Sequence, residues 1–187
     1  VTNDLFVPHT LESAPAEARP TMEATVRKFG HLPAAVALMS ESPHLLKGFL
    51  AANAAFEQTS LTPLDREVVV MTVATRNACH LCVAMHTAAL AGQEAPAELV
   101  ESLRERKPLS DPRLEALRLF TLAVMDRLGA VTDEEMRAFL DAGHTPRNAL
   151  EVVLGVGAYT ISTFANRMTA APLDPSLRPF AWEGEPS

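Results

Sequence analysis

Apolar residues in this chain fall into short blocks at helical spacing, each closed by a polar or Gly/Pro cluster, and a run that alternates as a strand would is missing. From Thr21 to Lys28 the spacing predicts a first helix, with Gly30 in position to end it. Short helices are expected over 33–39 and 43–58, with Ser40 and Ser42 near the turns. Thr62-Pro63 opens a helix through Arg76 whose Val68, Val69, Val70, Met71, Val73 and Ala74 are apolar on most sides, so it is expected to be buried. Asn77 reads as the N-cap of the next helix, which runs to about Gly92. The second half repeats the pattern. Pro96 begins a segment to Arg106, and Ser110-Asp111-Pro112 one that stops at Gly129. Thr132 with Glu135 forms a capping box ahead of Gly143, and Thr145-Pro146 opens the last helix, through Phe164. The expected fold is all-α, a bundle of about eight or nine helices in a single domain spanning 1–187, with its core over about 20–170. Residues 171–187 form an extended Pro-rich tail from which Phe180 and Trp182 can dock.

Composition narrows the function classes. The 187 residues are 48% hydrophobic, enough for one sizeable core. A net charge of −7, with Lys and Arg scattered, argues against nucleic acid as a partner. The apolar runs look broken short of the roughly 20 residues that span a bilayer, so no membrane is expected. Val1 to Thr10 lacks a secretory pattern, and a cytoplasmic location is the expectation. Apolar helices poor in aromatics also suggest faces closed by subunit contacts.

The chemistry is concentrated in one segment. The chain's two cysteines, Cys79 and Cys82, stand one helical turn apart, His86 follows one turn later, and Glu67 precedes them in the buried helix. Residues three apart on a helix fit the Cα spacing of a disulfide, and a helix start favours thiolate over thiol. Dipole reasoning favours Cys79 as the nucleophile, whereas the base favours Cys82, since His86 lies four residues beyond it. The base carries the assignment: Cys82 attacks and Cys79 resolves. If the two helices fold back about Arg76-Asn77, Glu67 meets His86 and orients it, as in a catalytic triad. Zinc held by the sulfurs, the imidazole and the carboxylate is one alternative reading, and inert core cysteines another. His80 reads as a surface or interface residue, Glu151 as a solvated or interface charge, and Tyr159 and Asn166 as core or wall. The Thr-Pro starts at 62–63 and 145–146, each followed by a glutamate, hint at an internal duplication without sulfurs in its second copy.

The spacing Glu-x11-Cys-x2-Cys-x3-His, filled by Glu67, Cys79, Cys82 and His86, resembles the signature of alkyl hydroperoxidase D-like proteins in the carboxymuconolactone decarboxylase superfamily. Gly30-His31-Leu32-Pro33, Ser42-Pro43 and the segment from Leu61 to Glu67 are similar to approach segments of that family. The family's histidine just before the second cysteine is replaced here by Leu81, with His80 one residue earlier. The resemblance implies an all-helical domain that assembles as dimers, trimers or hexamers. It also implies a thiol-dependent peroxidase, of peroxiredoxin type, that reduces hydrogen peroxide or small organic hydroperoxides. The implied cycle runs through a Cys82 sulfenate, a Cys79-Cys82 disulfide and a Glu67-His86 proton relay. No cofactor or metal is expected, and the partners are a hydroperoxide and a thiol or dithiol electron donor. The alternative is a redox-responsive protein whose disulfide controls assembly or partner binding without significant turnover.

Overall fold

A computed structural model describes residues 5–184. In chain order the elements are α1 (Arg19–Phe29), α2 (Ala34–Met39), α3 (Pro43–Glu57), α4 (Pro63–Arg76), α5 (His80–Gly92), α6 (Ala97–Arg104), α7 (Pro112–Asp126), α8 (Asp133–Asp141) and α9 (Pro146–Met168), then a 3-10 helix η1 (Pro175–Phe180). Among the described residues there is no strand, and the all-α expectation holds.

Helix α4 is the axle of the bundle, packing against α5, α6, α7 and α9. Every residue from Val68 to Thr75 is buried. Each buried valine contributes about 1.5–3 kcal/mol over an exposed one. Its threonines are kept from being a liability by their own helix: Thr72 Oγ1 donates to the Val68 carbonyl and Thr75 Oγ1 to that of Met71, both at 2.7 Å. The capping residues are decisive at both Thr-Pro starts. Thr62 with Asp65, and Thr145 with Asn148, each close a reciprocal capping box.

Two helix boundaries differ in an informative way. Asn77 is the C-cap of α4 rather than the N-cap of α5. The left-handed Ala78 (φ 50°) reverses the chain, and Cys79 then caps α5. Asn77 instead ties the turn to α9: its Nδ2 donates to Thr163 Oγ1 (2.9 Å), and its carbonyl accepts from Arg167 Nη1 (2.6 Å). The tail is not simply extended, because η1 turns it back onto α5. Trp182 is then buried, with Nε1 donating to the Arg104 carbonyl (3.1 Å), while Arg104 binds the carbonyls of Phe180 and Ala181.

Helix α9 also departs from expectation, being long and apolar enough to cross a membrane by length and composition; half of that apolar window is packed inside the protein. Gly155 permits the packing, since a Cβ there would lie 2.6 Å from the Phe56 ring and 3.0 Å from Val69. Close approach of α9 to α3 and α4 is what brings its polar residues to the sulfurs.

Candidate active site

The α4 and α5 helices run back against each other about the turn at 77–79, so residues about equally far from it face one another. Glu67 Oε2 lies 2.8 Å from His86 Nδ1, and both side chains are only 12% exposed. With Nδ1–H donating to the carboxylate, Nε2 is the free basic nitrogen. The His86 ring packs edge-on against Tyr159, with centroids 5.1 Å apart. Burial, helped by the nearby Glu67 charge, pushes the Tyr159 phenol far above its usual range. Tyr159 therefore stays neutral and donates to Asn53 Oδ1 at 2.9 Å.

Both cysteines are free thiols, each 1% exposed, with their sulfurs 2.8 Å apart. Their surroundings separate them. As N-cap, Cys79 Sγ accepts from the Cys82 backbone N–H (3.4 Å). The hydrogen bond shared with Cys82 outweighs burial and lowers the Cys79 thiol below its usual range, with further help from that N–H, Asn166 and the Arg167 charge. Cys82 moves the other way. The same hydrogen bond and deeper burial raise it well above the ordinary thiol value, against weaker opposition from Asn166 and Ser162. Both directions favour the thiolate on Cys79 over one on Cys82.

Helix α9 completes the surroundings. Asn166 Nδ2 donates to Cys82 Sγ (3.3 Å), and Ser162 Oγ lies 3.8 Å from the same sulfur. Asn166 Oδ1 is buried without a hydrogen-bond partner among the described residues. A cleft of about 290 Å³ reaches this point, bordered by Cys79, His80, Asn166, Arg167, Ala170 and Ala171. The two sulfurs thus lie between a cleft on the Cys79 side and, one turn on from Cys82, the Glu67-His86 pair.

Three of the four sequence candidates lie on the adjoining helices α4 and α5, and the fourth, Cys79, caps α5. Ser162 had no place in the sequence reading, and Asn166 only that of a wall residue. Their one signal was a pair of polar side chains four apart on an apolar helix, with no end to cap. His80 is held by the tail: its Nδ1 meets the Trp182 carbonyl at 2.6 Å. Glu151 is not solvated but 8% exposed. It accepts from Ser60 N (2.9 Å), Ser60 Oγ (2.6 Å), Arg147 Nε (2.9 Å) and Asn148 Nδ2 (3.2 Å). Among the described residues no group of three or more His, Cys, Asp or Glu is gathered as a metal would require.

Residues 41–123 match the model of the carboxymuconolactone decarboxylase family. Under half of the chain is thus similar to this family. Its fold is that of a peroxidase-related protein from Ralstonia eutropha JMP134, described as an alkylhydroperoxidase AhpD core: 20% identity, 97% of each chain covered, TM-score 0.81. A peroxidase-related protein from Silicibacter sp. TM1040 is similar at 20% identity, with 94% of this chain and 93% of that one covered and a TM-score of 0.76. The debrominase Bmp8, solved as a cysteine-to-alanine variant with 2,3,4-tribromopyrrole, is similar at 14% identity, covering 95% and 96% with a TM-score of 0.76. At these identities the likeness is one of fold. Among curated proteins none matches the chain.

Proposed function

We propose that this protein is a thiol-dependent peroxidase that reduces hydrogen peroxide or a small organic hydroperoxide in the cytoplasm at the expense of a dithiol donor. The observation that carries the reading is a pair of unbonded sulfurs 2.8 Å apart, one of them favoured as thiolate at the edge of a cleft. The roles are exchanged relative to the expectation from spacing. Cys79 attacks, because it is the favoured thiolate and borders the cleft; Cys82 resolves.

The Cys79 thiolate attacks the distal oxygen of ROOH, the O–O bond breaks, and the alkoxide takes a proton to leave as alcohol while Cys79 becomes a sulfenic acid. Cys82 must then lose a proton that its buried site holds tightly. His86, oriented by Glu67, is the base one turn away that accepts it. The Cys82 thiolate attacks the Cys79 sulfur, the disulfide forms and water leaves; an external dithiol returns two electrons and two protons. Asn166 and Ser162 hold the Cys82 sulfur while this happens.

Steady consumption of hydroperoxide with dithiothreitol tests the reading. Cys79→Ser should abolish sulfenate trapping, and Cys82→Ser should leave a trappable sulfenate at Cys79 without turnover. The opposite pattern restores Cys82 as the attacking sulfur. Stoichiometric oxidation without turnover, coupled to a change in assembly, replaces catalysis by a redox-responsive binding protein. The fold shared with a debrominase makes 2,3,4-tribromopyrrole the second oxidant to offer in the same assay.

A further inference from the structure

Among the described residues one buried side-chain nitrogen or oxygen lacks a hydrogen-bond partner, and it is Asn166 Oδ1. Buried acceptors are nearly always satisfied, so an idle one beside a reactive sulfur points to a donor that arrives from outside. The rest of the amide is occupied. Its two N–H bonds have Cys82 Sγ (3.3 Å) and Ser162 Oγ (3.4 Å) as acceptors, which settles which end of the side chain is nitrogen. Neither Cys82 nor Ser162 borders the cleft, whereas Asn166 does, together with Cys79. The end of the amide turned from those two partners is the oxygen. Amide bond lengths hold it roughly 2.3 Å from Nδ2, and so within about 6 Å of the Cys82 sulfur. The Cys79 sulfur is 2.8 Å from that of Cys82, which leaves one small molecule's span between Oδ1 and the attacking atom. Asn166 is 4% exposed and Cys79 1%, so an opening of the cleft that admits a peroxide to the sulfur uncovers the amide oxygen as well.

The chemistry of the attack identifies the donor. A hydroperoxide carries a hydrogen on its distal oxygen, the atom that the thiolate takes. Cys79 sulfur bonds to that oxygen, the O–O electron pair leaves with the alkoxide, which takes a proton from solvent, and the hydrogen stays on the transferred oxygen as S–O–H. An acceptor fixed beside the sulfur can hold this O–H before, during and after the transfer, and it aims the distal rather than the proximal oxygen at the sulfur. Arg167, the guanidinium of the same cleft, has only donors to offer and cannot take this part.

We propose that Asn166 is a catalytic residue of the peroxide site, its Oδ1 accepting a hydrogen bond from the distal O–H of the hydroperoxide and so selecting oxidants that carry that hydrogen. This rests on the thiol-peroxidase reading and deepens it, since there Asn166 only holds the Cys82 sulfur.

Two reagents separate this role from a merely supporting one. Hydrogen peroxide has the O–H; methyl methanethiosulfonate, which converts Cys79 to a mixed disulfide and releases methanesulfinate, has neither O–H nor N–H. Both react with the thiolate, so the ratio of their second-order rate constants at one pH is independent of how much thiolate is present. In a chain carrying Cys82→Ser, where Cys79 alone can react, Asn166→Leu should lower the peroxide-to-thiosulfonate ratio about tenfold, the effect of losing one hydrogen bond. Asn166→Ala, which removes the acceptor without adding bulk, should do the same and serves where leucine does not fold. Asn166→Asp keeps an oxygen in place and loses the donor. It should hold the ratio within about threefold of the parent while slowing both reagents at pH 7, because its charge opposes the thiolate. Equal slowing of both reagents by Asn166→Leu and Asn166→Ala would make the residue structural, and an unchanged ratio with unchanged rates would leave Oδ1 to solvent; either result overturns the proposal. So does a ratio that falls as far in Asn166→Asp as in Asn166→Ala. A Cys82→Ser parent that reacts with peroxide no faster than free cysteine removes the peroxidase reading itself, and the proposal with it, before position 166 is changed.

Discussion

Helices α4 and α9 begin alike, with Thr-Pro and a capping box, and each carries one shielded glutamate in its second turn, yet the two carboxylates are treated very differently. Glu151 is saturated: a backbone N–H, a hydroxyl, an amide and a guanidinium all donate to it, and although burial works to raise it, these donors hold it below the usual carboxylate range. It pins the loop after α3, through Ser60, to the start of α9. Glu67 meets an imidazole. A carboxylate surrounded by donors that keep their protons under all ordinary conditions is structural, whereas one bonded to an imidazole, a ring that can both accept and donate a proton, can help to move one.

Exchanging the carboxylates one at a time tests that contrast. The largest effect is expected at the relay: Glu67→Gln and His86→Gln should slow closure of the Cys79-Cys82 disulfide by about 10²–10⁴-fold. Sulfenate formation should be nearly unaffected, so that stopped-flow trapping finds the sulfenate accumulating. Equal slowing of both steps would instead mean that the relay serves the attacking sulfur. Glu151→Gln should do the reverse, costing about 1–3 kcal/mol in chemical denaturation while turnover stays within about twofold.

A third difference is expected in acid. Burial raises the Asp65 carboxyl, but the Arg113 guanidinium (2.6 and 2.8 Å) and its capping bonds with Thr62 outweigh this, and the folded-state value is lowered. A group whose value is lower folded than unfolded stabilises above its unfolded value, about pH 4, and that stability drains away as pH falls through the folded value. Melting temperature should therefore drop below about pH 4. Asp65→Asn should start lower at pH 7 and lose less between pH 5 and pH 3. The smallest effect separates the two glycines of α9. Gly155→Ala should destabilise by about 1–3 kcal/mol through the Phe56 clash. Gly157→Ala, in open space, should leave the subunit's stability unchanged or improve it by up to about 1 kcal/mol.

Much of this was legible in the sequence because it is local. Thr-Pro pairs and capping boxes announce helix starts in side chains three residues apart, and the Glu67-His86 contact follows from two helices folding back about a short turn. The α4–α5 boundary escaped because nothing about alanine signals a left-handed backbone; with Ala78 there, the cap moved two residues on and became a sulfur. Ser162 and Asn166 reach Cys82 across more than 75 residues of sequence, and Ser60 reaches Glu151 across 91. Such partners are set by how α9 docks, which no local pattern encodes. The same docking explains why Glu151 read as a solvated or interface charge rather than as the anchor of Ser60.

The carbonyl that holds His80 belongs to the chain's one tryptophan, whose ring lies 5.3 Å from the imidazole of a residue situated between the two sulfurs. The chain thus carries its own optical probe at the redox centre. Any shift of residues 79–82 on passing between dithiol and disulfide should register as a change in indole emission, readable on the unmodified protein during turnover.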